Sequence, residues 1–254
     1  MSFNEKVALV TGGSSGIGAA IAIKFAEEGA KVAIVGRNQE KLNNVAKKCG
    51  NPLVLVADVT KEEDVKRIVN ETFKYFGKLD ILVNNAGIYG SLGIQADNAM
   101  AAFDHVMSTN LRSAVYLTHL AAPHLISTKG NIVNISSVAA LRVFSKENFA
   151  YGASKAALDH FTRCVALELA SSGVRVNVVS PGPVMTDIMV NTGVNVEHQA
   201  AVFRQMQKIT ALERFSDPEE IADLVLFLAS DNAKAITGST FVSDNGMLLK
   251  SIEI

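Results

Sequence analysis

Tyr151 and Lys155 stand four positions apart in the run Tyr151-Gly152-Ala153-Ser154-Lys155. The run opens a stretch of helical pattern reaching about Ala170, so both side chains are expected on one helix face, a turn apart. That geometry has a chemical use. A free phenol titrates at about 10 and is a poor base at neutral pH. A nearby ammonium favours the phenolate. Such a tyrosine can give a proton to a carbonyl oxygen or take one from an alcohol. On its own the pair is also an ordinary helix-surface motif, so its neighbours have to carry the case.

Three other polar groups occupy useful places. The buried-type strand Asn131–Ile135 runs into Ser136-Ser137. A hydroxyl at the carboxyl end of a strand is where open α/β sheets bind ligands, and it can steady charge developing on an oxygen. Asn84-Asn85-Ala86-Gly87 follows the fourth strand in the same topological position. Asn110 lies inside a helical stretch, where asparagine is mildly unfavourable. It has either a specific hydrogen-bonding role or a tolerated, exposed position.

A glycine-rich turn supplies a binding site for such chemistry. Val7–Val10 leads into Thr11-Gly12-Gly13-Ser14-Ser15-Gly16-Ile17-Gly18 and then an amphipathic helix. Glycines there let backbone N–H groups approach a pyrophosphate at a helix N-terminus. The spacing Gly-x-x-x-Gly-x-Gly differs from the Gly-x-Gly-x-x-Gly fingerprint, and the Gly-Lys-Ser/Thr of a P-loop is absent. A tight turn without a ligand is the plainer alternative. The second strand ends Val35-Gly36-Arg37-Asn38. An NAD site would place a carboxylate there. Arg37 could instead pair with a 2′-phosphate through its planar fork. NADP(H) is therefore expected, with NAD(H) as the alternative. Arg37 as a turn residue in solvent is the plain reading.

The elements that must position these groups alternate along the chain. Candidate strands are Val7–Val10, Val32–Val35, Leu53–Ala57, Ile81–Val83, Asn131–Ile135, Arg175–Val179 and Thr240–Val242, several of them continuously apolar. Between them lie helical patterns. The first carries Ile17, Ala20, Ile21, Phe25 and Ala26 on one stripe, and Thr60 with Glu63 reads as a capping box for the third. The expected fold is an α/β, Rossmann-like doubly wound, seven-stranded and mainly parallel sheet with helices on both faces. One domain over residues 1–254 is expected. The stretch Thr186–Thr210 mixes apolar residues and turn formers after the sixth strand, and is expected to be a substrate lid or, more plainly, a surface helical excursion.

Composition narrows the function classes. The 254 residues are 48% apolar and 19% charged, enough for a sizeable core. A net charge of −1 argues against nucleic acid and anionic membrane as partners. No apolar run approaches the roughly 18 residues of a membrane span. Cys49 and Cys164 match no metal-ligand spacing, so no metal site is expected, and both read as packing or surface residues of a reduced, cytoplasmic protein. A first strand beginning by Val7 leaves no room for a leader, and the final Ser-Ile-Glu-Ile is not an address signal.

Taken in order, Thr11-Gly12-x-x-x-Gly16-x-Gly18, Asp58-Val59, Asn84-Asn85-Ala86-Gly87, Asn110, Ser137, Tyr151-x-x-x-Lys155 and Pro181-Gly182-x-Val184-x-Thr186 resemble the compact single-domain branch of the short-chain dehydrogenase/reductases. The resemblance spans roughly Lys6 to Gly246. It implies that Tyr151 is the general acid/base, that Lys155 lowers its pKa and binds the nicotinamide ribose, and that Ser137 orients the substrate oxygen. Asn110 is implied to hold a water that links Lys155 to solvent. The implied cofactor contacts are Gly12, Ser14, Ser15, Gly16, Ile17 and Gly18 at the turn, with Arg37 and Asn38 at the end of the second strand. Asp58 and Val59 would meet the adenine, Asn85, Ala86 and Gly87 the adenosine and ribose. Pro181 and Gly182 lead to Val184 and Thr186 at the carboxamide. The implied partners are a small carbonyl or alcohol substrate and further copies of the chain, a homotetramer or else a dimer. The apolar faces of Leu111–Leu125 and Ala156–Leu169 suit that, and suit packing within the chain equally.

The chain departs from the pattern in three places. Ser137 and Tyr151 are 14 positions apart, one more than this branch leads one to expect, with Phe144-Ser145-Lys146-Glu147-Asn148-Phe149 in the gap. The usual Asp-Gly-Gly near the end is Asp244-Asn245-Gly246. Ser15 stands where many NADP(H)-using members have a basic residue. The expected activity is an NADP(H)-dependent carbonyl reductase or alcohol dehydrogenase. The Val/Met/Phe-rich lid with Phe144 and Phe149 points to an apolar substrate, steroid-like, isoprenoid-like or 3-oxoacyl. The rival is a dinucleotide-binding sensor or scaffold without turnover. The larger epimerase and dehydratase branch needs another glycine spacing and an extra C-terminal domain.

Overall fold

In the computed structural model, which describes residues 2–186 and 207–250, seven short strands line up in the order β3-β2-β1-β4-β5-β6-β7. They are β1 Val7–Thr11, β2 Lys31–Gly36, β3 Leu53–Val56, β4 Ile81–Asn84, β5 Asn131–Ile135, β6 Arg175–Pro181 and β7 Thr240–Ser243. All six strand pairings are parallel, so the sheet is more uniform than the mainly parallel one expected. Among the described residues seven α-helices pack on it: α1 Gly16–Glu27, α2 Gln39–Ala46, α3 Glu62–Phe76, α4 Ala99–Met107, α5 Ser113–Thr128, α6 Phe149–Leu169 and α7 Pro218–Ala229.

The strands alternate their side chains between two cores. Ala8, Val10, Ile34, Val83 and Val133 face the layer that holds α1 and α7. Val7, Leu9, Val35, Leu82 and Ile132 face the layer of α3, α5 and α6. Burying both faces is why these runs read as continuously apolar. Each such side chain contributes roughly 1.5–3 kcal/mol on leaving water.

Strand order reverses beside β1, since β2 and β3 lie to one side of it and β4 to β7 to the other. The turns after β1 and β4 are therefore neighbours at the carboxyl edge, the usual binding crevice of such sheets. Buried polar groups tie the two halves together there. Asn84 donates to Asn134 (2.8 Å) and Thr118 (3.2 Å), and Asn134 donates to Thr162 (2.7 Å). This row links β4, β5, α5 and α6 and holds the platform on which the site rests.

Two local expectations change. Thr60 does not cap α3: the N-cap is Lys61 and has no side-chain cap bond. Thr60 instead gives both its N–H (3.0 Å) and its hydroxyl (2.8 Å) to the Asp58 carboxylate, an Asx-type turn that competes with capping. The real capping box lies at Asp217 and Glu220, opening α7. Asn245, in place of the usual glycine, takes φ 52° and Gly246 takes φ 75°, so asparagine keeps the left-handed turn. Of the lid expected over 186–210, residues 187–206 lie outside the described residues, as do Ser251–Ile254.

Candidate active site

The glycine turn is built around close approach. At Gly18 an added Cβ would lie 2.2 Å from the Gly12 carbonyl oxygen and 2.4 Å from Asn85 Nδ2. At Gly12, with φ 66°, it would meet the same Asn85 nitrogen at 2.7 Å. Asn85 is thus the clamp between the turns. Its Nδ2 donates to the Thr11 (2.9 Å) and Gly12 (3.3 Å) carbonyls. The Thr11 hydroxyl completes the joint, accepting from the N–H groups of Asn85 (3.0 Å) and Ala86 (3.1 Å).

These turns wall a cavity of about 570 Å³. Of the cofactor residues expected from sequence, Gly12, Ser14 to Gly18, Arg37, Asn38, Asp58, Val59, Asn85, Ala86, Gly87 and Thr186 line it. Lys41, Thr60, Ile88 and Thr109 line it too and were not foreseen. Lys41 had a legible signal, since Asn38 caps α2 by accepting from the Lys41 N–H (2.9 Å), which puts that lysine in the first turn beside Arg37. Ser15 makes no side-chain cap for α1, so the first-turn N–H groups of that helix are left for the cavity. Burial raises the Asp58 carboxyl, but hydrogen bonds from Thr60 and the charges of Arg37 and Lys61 outweigh it and hold the group below its ordinary value.

Pro181, Gly182 and Val184 are placed behind that wall. Pro181 ends β6, and Gly182 sits so close to Asp244 that a Cβ would lie 2.7 Å from its Cα. Val184 is buried and pairs with Ser216 in an isolated bridge. They position Thr186 rather than face the cavity.

The proposed reactive groups do not line the cavity and stand beside its Gly87 wall. Gly87 leaves room for them: a Cβ there would lie 3.3 Å from Lys155 Nζ and 3.4 Å from Asn110 Oδ1. Lys155, only 4% exposed, donates to the Ile135 carbonyl (2.8 Å) and lies 5.8 Å from the centre of the Tyr151 ring. The Ser137 hydroxyl bears on the phenol, pulling its pKa down, and accepts from the Ala139 N–H (3.2 Å). Ser136 turns the other way, its hydroxyl donating to the Lys155 carbonyl (3.2 Å). The geometry thus separates the two serines and puts Ser137 at the phenol.

Asn110 sits in a π-helical turn, Ser108–Arg112, a widened turn often found at functional sites. Its side chain is fully engaged, accepting from the Ile88 N–H (2.8 Å) and donating to the Ile88 carbonyl (2.9 Å) and Ser154 (3.1 Å). It therefore locks the segment after β4 onto α6. Any water held by this residue would be held by its main chain.

Burial sets the electrostatics. It pushes the Tyr151 phenol above its ordinary value, with the Ser137 hydrogen bond pulling down and Tyr89 pushing up. This reverses the direction expected from the Lys155 spacing. Burial also drives Lys155 down to about 8, against the pull of Asp159. Tyr89 was not foreseen. Its ring lies 5.1 Å from that of Tyr151, tilted by 57°. The aromatics of the lengthened gap are engaged within the protein: Phe149 stacks on Phe103 at 6.2 Å and Phe144 lies under the Arg142 guanidinium at 5.6 Å.

The cradle fits a dinucleotide. It has glycines that no side chain could replace, an uncapped helix start, and two cations, Arg37 and Lys41, on its lining. Among the described residues no group of three His, Cys, Asp or Glu side chains is placed to hold a metal ion.

Comparison with known proteins agrees with this geometry. Residues 12–248 match the family described as Enoyl-(Acyl carrier protein) reductase. The chain is 35% identical over 241 residues to an L-fucose dehydrogenase of Bos taurus, covering 95% of this chain and 88% of that one. A short-chain dehydrogenase/reductase of unknown function from Caenorhabditis elegans, solved with cofactor, superposes with a TM-score of 0.93 at 37% identity, over 98% of this chain and 97% of the other. The L-sorbose reductase of Gluconobacter frateurii, complexed with NADPH and L-sorbose, superposes with a TM-score of 0.90 at 31% identity, over 99% of both chains.

Proposed function

The chain belongs to the short-chain dehydrogenase/reductase family, whose members act on alcohols and carbonyls with NAD(P), and from that premise we propose an NADP(H)-dependent oxidoreductase that interconverts a ketone or aldehyde with an alcohol. The observation that carries it is Gly87, which lines the cavity and on its other side makes room for Lys155 Nζ, the amine that lies 5.8 Å from the Tyr151 ring. When bound, the nicotinamide supplies or accepts the hydride. Ser137 and Tyr151 hold the substrate oxygen, Tyr151 passes the proton, and Lys155 holds the nicotinamide ribose and steadies the phenolate.

Arg37 and Lys41 support the choice of NADP(H). A cation pair at the end of β2 and the start of α2 would hold a 2′-phosphate by charge-assisted hydrogen bonds and a bare 2′-hydroxyl only by weaker neutral-acceptor ones. Arg37→Asp is expected to lower the NADPH/NADH ratio of kcat/KM by about a hundredfold, the size of losing one or two charge-assisted hydrogen bonds. A ratio equal to that of the unsubstituted enzyme would remove Arg37 from cofactor choice.

For the substrate, the Tyr89 and Tyr151 rings favour an apolar ketone or its alcohol. The Ser91 hydroxyl that bears on the Tyr89 phenol, together with the names of two relatives, favours a sugar as the second reading. Initial rates with NADPH against apolar diketones, L-sorbose and 3-oxoacyl thioesters, and with NADP+ against L-fucose, separate them. Tight NADPH binding with no turnover of any compound would favour the sensor reading instead.

Exposed Met100, Val115 and Leu167 on α4, α5 and α6 are left uncovered by the chain itself, which supports the proposed homotetramer. The unpaired Cys49 and Cys164 accord with a reduced cytoplasmic setting. No helix among the described residues is long and apolar enough to cross a membrane. We retain a lid role for residues 186–210 as part of the same proposal.

A further inference from the structure

Lys155 carries a buried charge whose described hydrogen bond, to the Ile135 carbonyl, is to a neutral acceptor. A buried ammonium is costly unless an opposite charge stands near it. Asp159 lies one turn further along α6, so Tyr151, Lys155 and Asp159 form a row at intervals of four on the face turned to β5. Asp159 is 3% exposed, and its Oδ1 has no hydrogen-bond partner.

Ser136, just past the end of β5, joins the two. Its hydroxyl donates to the Lys155 carbonyl and stands beside the Asp159 carboxylate. The groups that bear on Asp159 are Ser136 from the β5 end and, from its own helix, Arg163 and Lys155. Burial is the largest influence and leaves its carboxyl above the ordinary value, although all three of those groups pull it down. Asp159 is the anion that bears on Lys155 in turn. A carboxylate in an apolar core with one oxygen unpaired contributes little to stability by itself, so its service is to the cation one turn away.

We propose that Asp159 is a positioning residue for the proton-transfer step: its buried carboxylate, one helical turn behind Lys155, keeps Lys155 a cation beside Tyr151 without touching substrate or cofactor. The inference rests on the reading of Tyr151 and Lys155 given above. Its consequence is that the working range of the enzyme on the alkaline side is set from behind the site, by a residue the substrate never meets.

The test uses the full chain labelled with [13Cε]-lysine, titrated by NMR without cofactor or substrate. The Lys155 resonance is identified by its loss in Lys155→Met. Its midpoint is expected near 8 in the unsubstituted protein. Asp159→Asn, with an unchanged near-ultraviolet circular dichroism spectrum, should lower that midpoint by about one pH unit or more, the usual effect of losing one close opposite charge. Asp159→Glu should restore most of the shift. An Asp159→Asn midpoint equal to the original overturns the proposal. Should Asp159→Asn not fold, the unsubstituted protein still decides. Its Lys155 resonance must show a second, smaller inflection on the acid side where Asp159 takes up its proton, and a curve without it overturns the proposal as well. The readout needs no turnover. A failed substrate screen therefore leaves this inference standing, and an unshifted midpoint leaves the reductase reading standing.

Discussion

Tyr151→Phe is expected to lower kcat by about 10²–10⁴-fold while leaving NADPH affinity within about twofold, since positioned proton transfer contributes on that scale. The substitution removes one oxygen and keeps the ring. The contact with Tyr89 survives, and so does the Lys155 bond to Ile135. Ser137 keeps its partner at the Ala139 N–H, so the β5 end need not rearrange. What disappears is the group that hands a proton to the substrate oxygen. Stopped-flow oxidation of NADPH, with fluorescence titration of NADPH binding, separates the two effects. Turnover like that of the unsubstituted enzyme would refute the mechanism.

The phenol also sets a direction with pH. Burial raises its pKa, so at neutral pH the acid form prevails, which suits carbonyl reduction. Reduction should fall as pH rises and the phenol loses its proton. Alcohol oxidation needs the phenolate and should climb over the same interval.

Gly18→Ala is the second substitution with a large expected effect. The new carbon would lie 2.2 Å from the Gly12 carbonyl oxygen and 2.4 Å from Asn85 Nδ2. One of these is backbone and the other is the amide that clamps two turns, so neither can yield cheaply. Overpacking of this kind costs about 1–3 kcal/mol, here concentrated at the cofactor cradle. NADPH affinity is expected to fall at least about a hundredfold and Tm to drop by about 5 °C. Gly93→Ala is the control. Its added carbon meets Glu147 Cγ at 3.9 Å, an ordinary contact, and both readouts should stay put. Equal NADPH binding in Gly18→Ala would show that the turn has slack the close contacts do not suggest.

Much of the site was legible because its signals are local. Tyr151 and Lys155 share a helix face by spacing alone, and the glycines at 12, 16 and 18 announce a turn whether or not its partner is known. Strands buried on both faces read as apolar runs, so the alternation of strand and helix was visible. Arg37 was visible by position, at the end of β2. Lys41 was missed because it stands inside a charged, solvent-facing helix turn, where a lysine attracts no notice. The Thr60 cap failed for a related reason. Its motif was right, but the Asp58 carboxylate two residues earlier claimed the same hydroxyl.

Spacing alone thus indicates this protein's strands, its glycine turn and the shared helix face of Tyr151 and Lys155, since each depends on residues within a few positions of one another. Folding settles the state of that pair. Burial tightens the phenol's hold on its proton and loosens the lysine's, and burial is a sum over the whole chain. Asn85 reaches back 74 positions to Thr11, and Asn110 spends its amide on Ile88 rather than on solvent. Asp159 reads as one more polar residue of a long helix until α6 is laid against β5. There it becomes the charge behind Lys155.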